Sequence, residues 1–270
     1  MRTVEMKYTI NKSHIFDVSI IIFLLFAGLV FPYLVRDSAL DYSLVWYAIL
    51  SLPTVAYLGL RERKNWKKIG VGSLVFGLLF GFLLEYFAHV TDTWVVPSTL
   101  FPFRILGFNT IESLFGYIFM TAYVLVFYEH FFDKDKNHRI SPHIWRAIIP
   151  VFLVLVVVVF FHYTNPSKLF FTNAYLKMGL VAILPLILEV QRLPKLFRKY
   201  FPFALSLFPI IFTWEVVGLT FQYWTFPGQD YLAVVTFFSQ SFPIEEIIFW
   251  MLLYPVTIAS YYEQFVDDEK

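Results

Sequence analysis

No cysteine occurs in the 270 residues. That absence excludes a disulfide framework, a Cys-ligated zinc site, an iron–sulfur cluster and a thiol nucleophile, and it leaves the redox compartment unread. Charge is scarce as well: Asp, Glu, Lys and Arg make up 15% of the chain and the formal net charge is +1. There is no basic tract with interleaved aromatics, so nucleic acid is not an expected partner. The six histidines show no metal-ligand spacing, and neither a glycine-rich phosphate loop nor a serine-nucleophile motif is present. No metal and no cofactor is expected.

What the chain has instead is apolar surface. Hydrophobic residues are 59%, aromatic residues 21%, and the mean hydropathy is +0.66. A soluble protein of this length would form one or two domains, and none needs so much apolar side chain. The long apolar runs predict an all-α, polytopic membrane bundle of eight helices, near 15–35, 43–60, 69–91, 108–132, 145–163, 169–191, 201–222 and 242–265. The first follows Arg2, Lys7 and Lys12 as a signal peptide would. Its apolar run is too long for one and no small-residue cleavage site follows, so it reads as a retained helix.

Loop charges test the helix count. Alternate loops hold sixteen Lys and Arg: Arg2, Lys7 and Lys12; five between Arg61 and Lys68; Lys134, Lys136 and Arg139; four between Arg192 and Lys199; and Lys270. The opposite loops hold Arg36, Arg104 and Lys168. That bias predicts an even number of spans in the cell membrane with both termini cytoplasmic.

The two halves resemble each other. "EYFAHVTDTWVVP" (85–97) and "EVVGLTFQYWTFP" (215–227) share a Glu, a Trp nine residues later and a Pro three beyond that. "FNTIESLFGYIFMTAYVLVFYEHFFD" (108–133) lies without a gap over "FPIEEIIFWMLLYPVTIASYYEQFVD" (242–267), which sets Glu112 opposite Glu246 and Phe115 opposite Phe249. The expected organisation is a duplication, 1–137 and 138–270, each half a four-helix unit. With an even number of helices per unit the copies insert the same way round, related by an axis along the membrane normal.

This topology puts five carboxyls, Glu85, Glu112, Glu215, Glu245 and Glu246, at one depth near the outer side. Glu129, Glu189 and Glu263 fall at the cytoplasmic ends, where acids meet water at little cost. A charge facing lipid costs a few kcal/mol or more, so the five must be paired, protonated or turned toward a cavity. Crowding and desolvation raise carboxyl pKa values, and a carboxyl kept neutral is a proton donor, with an ionised neighbour to take the proton back. The plainer reading of Glu245 and Glu246, after Phe242-Pro243, is a helix-start cap. They lie about 100° apart on a helix, so one is expected to be catalytic and the other structural. Trp94, Tyr223, Trp224 and Phe249 are candidates for a substrate pocket, their rings steadying a cation; Trp and Tyr at this depth also serve as interfacial belts. Lys177, near Asn173, is positioned to neutralise an acid or, with no other support, to form a Schiff base. Asp37 and Asp41 make a D-x-x-x-D, which with no second Asp-rich motif reads as solvated loop acids.

One stretch carries a family resemblance. "PIEEIIFWMLLYPVTIASYYE" (243–263) resembles the repeated motif of the lycopene cyclase domain family, small integral-membrane carotenoid cyclases of bacteria and archaea, in which Pro-[Ile/Val]-Glu-[Glu/Asp] opens an aromatic helix ending in Tyr-Glu. The upstream Trp-x-x-Pro is similar too. The resemblance implies proton-initiated, redox-neutral cyclisation of a linear polyene such as lycopene, without flavin or metal, on a substrate entering from the bilayer. It implies catalytic roles for Glu245, Glu246, Glu112, Glu215 and Glu85. The first copy departs from the pattern: Asn109 stands for Pro243 and Ile111 for Glu245. One active centre, built mainly from the second copy, is therefore expected. The departure is also compatible with a changed substrate or a partner subunit in a homo- or hetero-oligomer. The alternatives are a hydratase of similar acid chemistry, and a non-enzymatic carotenoid- or lipid-binding membrane protein.

Overall fold

The computed structural model describes residues 12–97, 99–133 and 138–267. Of the loop charges used above, Arg2, Lys7, Lys134, Lys136 and Lys270 lie outside the described residues, as does the side chain of Lys12. The chain is a bundle of long helices: α1 (Lys12–Val35), α2 (Ser43–Arg61), α3 (Arg63–Val90), α4 (Ile111–Phe131), α5 (Pro142–Thr164), α6 (Ala174–Arg192), α7 (Pro194–Thr220) and α8 (246–265). Seven of these are long and apolar enough to cross a membrane, which makes this a multi-pass membrane protein. The eighth expected span, α8, is a continuous rod. Its acids and tyrosines keep its hydropathy below that of the others, and it packs into the centre of the bundle, where Met251, Ala259 and Tyr262 have no exposure. By contrast Phe23, Phe26, Phe152 and Phe160 of α1 and α5 face outward, as lipid-covered surface does.

Two helices are not regular. Residues Ser73–Phe80 within α3 and Glu246–Leu253 at the head of α8 are π-helical. A π segment bonds i to i+5 and so accommodates one more residue than the α-helix it interrupts.

The expected starts of the fourth and eighth helices come too early. Residues 108–110 and 240–243 belong instead to two antiparallel ribbons: β1 (Arg104–Ile105) with β2 (Asn109–Thr110), and β3 (Val234–Phe237) with β4 (Gln240–Pro243). The apolar Phe242 reads equally well as helix or strand. The tight turn at Phe238-Ser239, both with positive φ, decides for the strand. Thr110 caps α4 by accepting the Ser113 N–H at 3.0 Å. Between the ribbons, Val95 and Thr225 exchange backbone hydrogen bonds of 3.0 and 2.9 Å. These residues follow Trp94 and Trp224 directly.

At the opposite, basic end the chain crosses itself reciprocally. Tyr128 donates to Glu263 and Tyr262 donates to Glu129. Lys199 donates to Glu263 at 2.6 Å and to Asp133 at 2.9 Å. Lys68 donates to Asp267 at 2.6 Å and stands 3.5 Å from Glu129. Each lysine thus joins one acid of α4 or its end to one of α8 or its end. Glu129 and Glu189 were expected in water; both are 5% exposed. Glu189 accepts from Tyr200 and Ser260, and Glu129 from Asn65 as well. These acids tie helix ends together rather than solvate them. Among the described residues Glu129, Asp133 and Asp267 cluster closely enough to hold a cation, but the Lys68 ammonium already occupies that neighbourhood.

Lys68 has no exposure, and Asp267 is 2% exposed. Removing one partner of such a pair leaves a buried charge uncompensated, so Lys68→Met is expected to lower stability by roughly 3–5 kcal/mol. Thermal unfolding in detergent measures it; a change within experimental error would show that the crossed network is not a structural clamp.

Candidate functional site

Near the ribbon end the helices line a chamber that is open at a mouth. Helices α2, α3, α4, α6, α7 and α8 all contribute to its wall. Three carboxyls line it: Glu85 from α3, Glu215 from α7 and Glu246 from α8. They are 1%, 1% and 4% exposed. The rest of the wall is mainly aromatic and aliphatic.

The Glu-to-Trp spacing seen in both halves has a physical meaning here. Trp94 donates its indole N–H to Glu85 Oε2 at 3.0 Å, and Trp224 donates to Glu215 Oε1 at 2.6 Å. Each helix ends five residues after its Glu, and the chain turns back so that the Trp lies over it. The turn requires φ of +53° at Asp92 and +54° at Gln222. The Trp224 ring stacks on Tyr47 at 5.8 Å with planes 10° apart and on Trp46 at 5.8 Å with planes 28° apart, and Trp46 also meets Tyr223 at a tilt.

The Glu215 and Glu246 carboxyls face each other within hydrogen-bonding reach. Two carboxyl groups can bond to each other only when one carries a proton. Tyr175 donates to the Oε2 of Glu246. Glu85 takes a second bond from Tyr117 at 3.3 Å, while its Oε1 accepts no hydrogen bond among the described residues and lies 3.4 Å from His89 Nδ1. Next to it, His89 Nε2 accepts from Arg104 at 3.2 Å, which leaves Nδ1–H to donate to the Glu85 carbonyl at 3.0 Å.

The other two acids lie outside the chamber. Glu112 accepts the Phe101 N–H at 2.8 Å, and Glu245 accepts the Leu232 N–H at 2.7 Å. Both are fully buried and both fasten a connecting loop to a helix start. Glu112 therefore does in the first half what Glu245 does in the second, and Ser113 lies in the chamber wall where Glu246 does. The ungapped alignment that set Glu112 opposite Glu246 is off by one residue at this end. At the other end Tyr128-Glu129 and Tyr262-Glu263, which that alignment pairs, make matching bonds. The π segment at 246–253 lies between the two registers and absorbs the extra residue.

Phe249 lines the chamber with Trp94 and Trp224. Tyr223 does not: it is buried under Trp46 and donates to Asp41 at 2.8 Å. Burial, with Asp41 adjacent, raises its hydroxyl pKa above the usual tyrosine range. Asp41 is thus an anchor rather than a solvated loop acid, and it also accepts the Asp37 N–H at 3.1 Å. Lys177 is exposed, its ammonium 5.8 Å over the Phe171 ring, and Asn173 is an exposed left-handed residue that starts α6. Neither reaches an acid of the chamber. Tyr47, Tyr117, Tyr175, Trp214, Trp250 and Tyr254, which the sequence reading did not single out, all line it. In a chain with 17 Tyr and 33 Phe, no local spacing marks these out.

No family model, curated protein or solved structure matches the chain.

Trp224 leaves no room over Gly218, where a Cβ would meet its ring at 2.0 Å. Gly218→Ala is expected to displace the indole from Glu215 and cost roughly 1–3 kcal/mol, as overpacking does. A shift in tryptophan fluorescence together with a lower melting temperature checks this; an unchanged spectrum and melting temperature would show that the ring has room to spare.

Proposed function

We propose that this protein is an integral-membrane carotenoid end-group cyclase, in which the Glu215/Glu246 pair protonates the terminal double bond of a linear polyene such as lycopene. The observation that carries this reading is the pair itself, two facing carboxyls enclosed among aromatic rings. A proton adds to the terminal carbon–carbon double bond and leaves a tertiary cation. An inner double bond attacks it, closing a six-membered ring. The new cation loses a proton to the carboxylate, so the reaction is an isomerisation with no redox change. The rings of Trp224, Tyr47 and Trp94 offer π faces to the cation, and the preorganised Trp224 and Tyr175 donors steady the carboxylate left behind. The apolar wall excludes the water that would otherwise quench the cation.

The chain is read as two parallel four-helix units, 1–137 and 138–270, with both termini cytoplasmic. The reciprocal Tyr–Glu and Lys–acid bonds and the Val95–Thr225 pairing support a two-fold relation along the membrane normal. Ser113 in place of an acid supports a single acid centre, with Glu85 the nearest candidate for a secondary role. A hydratase is the second reading. It is favoured by a polar recess, lined in part by Asp92 and Asp230, that borders the chamber and could admit water to the cation.

In lycopene-accumulating cells the wild type is expected to yield cyclised pigment. Glu246→Gln and Glu215→Gln should each reduce it at least about 100-fold, the scale of a lost acid–base group, with the protein still in the membrane. Glu245→Gln, which still offers an oxygen to the Leu232 N–H, should retain ring formation. Chromatography of the pigment reads all four, and a hydroxylated acyclic product would select the hydratase. Unchanged lycopene with the wild type, or equal product from every variant, would overturn the proposal.

A further inference from the structure

Beside the chamber lies a second cavity of different character. Its edge is polar: Thr91, Asp92 and Thr93 from the end of α3, and Gln229, Asp230 and Tyr231 from the segment before β3. Asp92 and Asp230 are exposed, so this vestibule opens toward water. Tyr231 donates to the Thr93 carbonyl at 2.5 Å and accepts the Gly228 N–H at 3.0 Å, which holds the two loops together. Burial pushes its hydroxyl up to about 12, so it stays a donor at neutral pH.

Tyr175 borders both cavities. Asn173, at φ +51°, sets the start of α6 and places Tyr175 in its first turn. The ring lies 5.3 Å from that of Trp94, and the hydroxyl donates to Glu246. The chemistry of the other donor matters here. Among the described residues the side chains bonded to the carboxyl pair are Trp224 and Tyr175. An indole N–H only donates, whereas a phenol oxygen can accept one proton while releasing another.

We propose that Tyr175 is the proton conduit between the vestibule and the Glu215/Glu246 pair. It is a positioning residue acting through Glu246, not a catalytic one. In the transfer, the Tyr175 O–H proton passes to Glu246 while a proton from vestibule water forms a new O–H bond on the same oxygen; the reverse path returns a proton to water. The inference rests on the reading above only in requiring that the pair hold a proton. The conduit gives that proton a route to the outside, and it does not depend on which polyene is cyclised.

The test is infrared spectroscopy of the full-length protein in lipid vesicles, mixed rapidly from H₂O into D₂O. The protonated-carboxyl band is assigned by its loss in Glu246→Gln, and its isotope shift is followed in time. Tyr175→Phe is expected to slow the exchange at least about tenfold, since a relay between oxygen acids is removed. Tyr175→Trp, which fills the space and donates but cannot accept, should slow it too and keeps the test open if the Phe variant does not fold. Tyr175→His, which can both accept and donate, should bring the rate back toward the wild type. Exchange at the wild-type rate or faster in the Phe and Trp variants would overturn the conduit alone. A wild type with no band removed by Glu246→Gln would overturn the protonated pair, and with it both the proposed function and the conduit.

Discussion

A carboxyl group inside a membrane bundle needs a partner, and this fold is organised around supplying partners. Glu85, Glu215 and Glu246 enter a chamber whose wall is otherwise mostly ring and methyl. Each is held by a donor that its own sequence neighbourhood or a facing helix provides: Trp94 and Trp224 fold back over their helices, and Tyr175 and Tyr117 reach across from others. The neutral hydrogen-bond donors matter. A lysine or arginine against the Glu215/Glu246 pair would fix both carboxyls as anions. Indole and phenol groups satisfy the oxygens without bringing a charge, as the proposed shared proton requires. The same acids at the basic end of the bundle meet lysines instead, and there they brace the structure.

The division of labour between the two ends follows from that contrast. Lys68 and Lys199 join α4 and α8 to each other through crossed pairs. With one end fixed, the ribbon end can hold a cavity open. Close approach at Gly116, which leaves space for Tyr47, and at Gly179, which leaves space for Phe249, shapes its wall.

Much of this was legible in the sequence. The helices followed from apolar run length, and the Glu-to-Trp interval of nine residues marked a hydrogen bond in each half. Three of the five acids singled out by their burial cost, Glu85, Glu215 and Glu246, line the chamber. Other features left no mark. The ribbons were hidden because Phe242 and Phe108 continue the apolar run of the helix that follows. The π segments were hidden because an inserted residue in a greasy helix changes neither its composition nor its length appreciably. That is why Glu112 seemed to match Glu246, when its bond to a loop amide matches that of Glu245. The tyrosines of the chamber wall were lost among the many aromatics that merely pack.

In the proposed chemistry Glu215 and Glu246 pass a proton to a carbon–carbon double bond and recover one. The most direct measurement is conversion of lycopene by the purified protein in vesicles made in D₂O, with a chelator present and no flavin or reductant added. The account predicts cyclised product with one deuterium per ring closed. Lycopene recovered unchanged, or rings that form without deuterium, would contradict it.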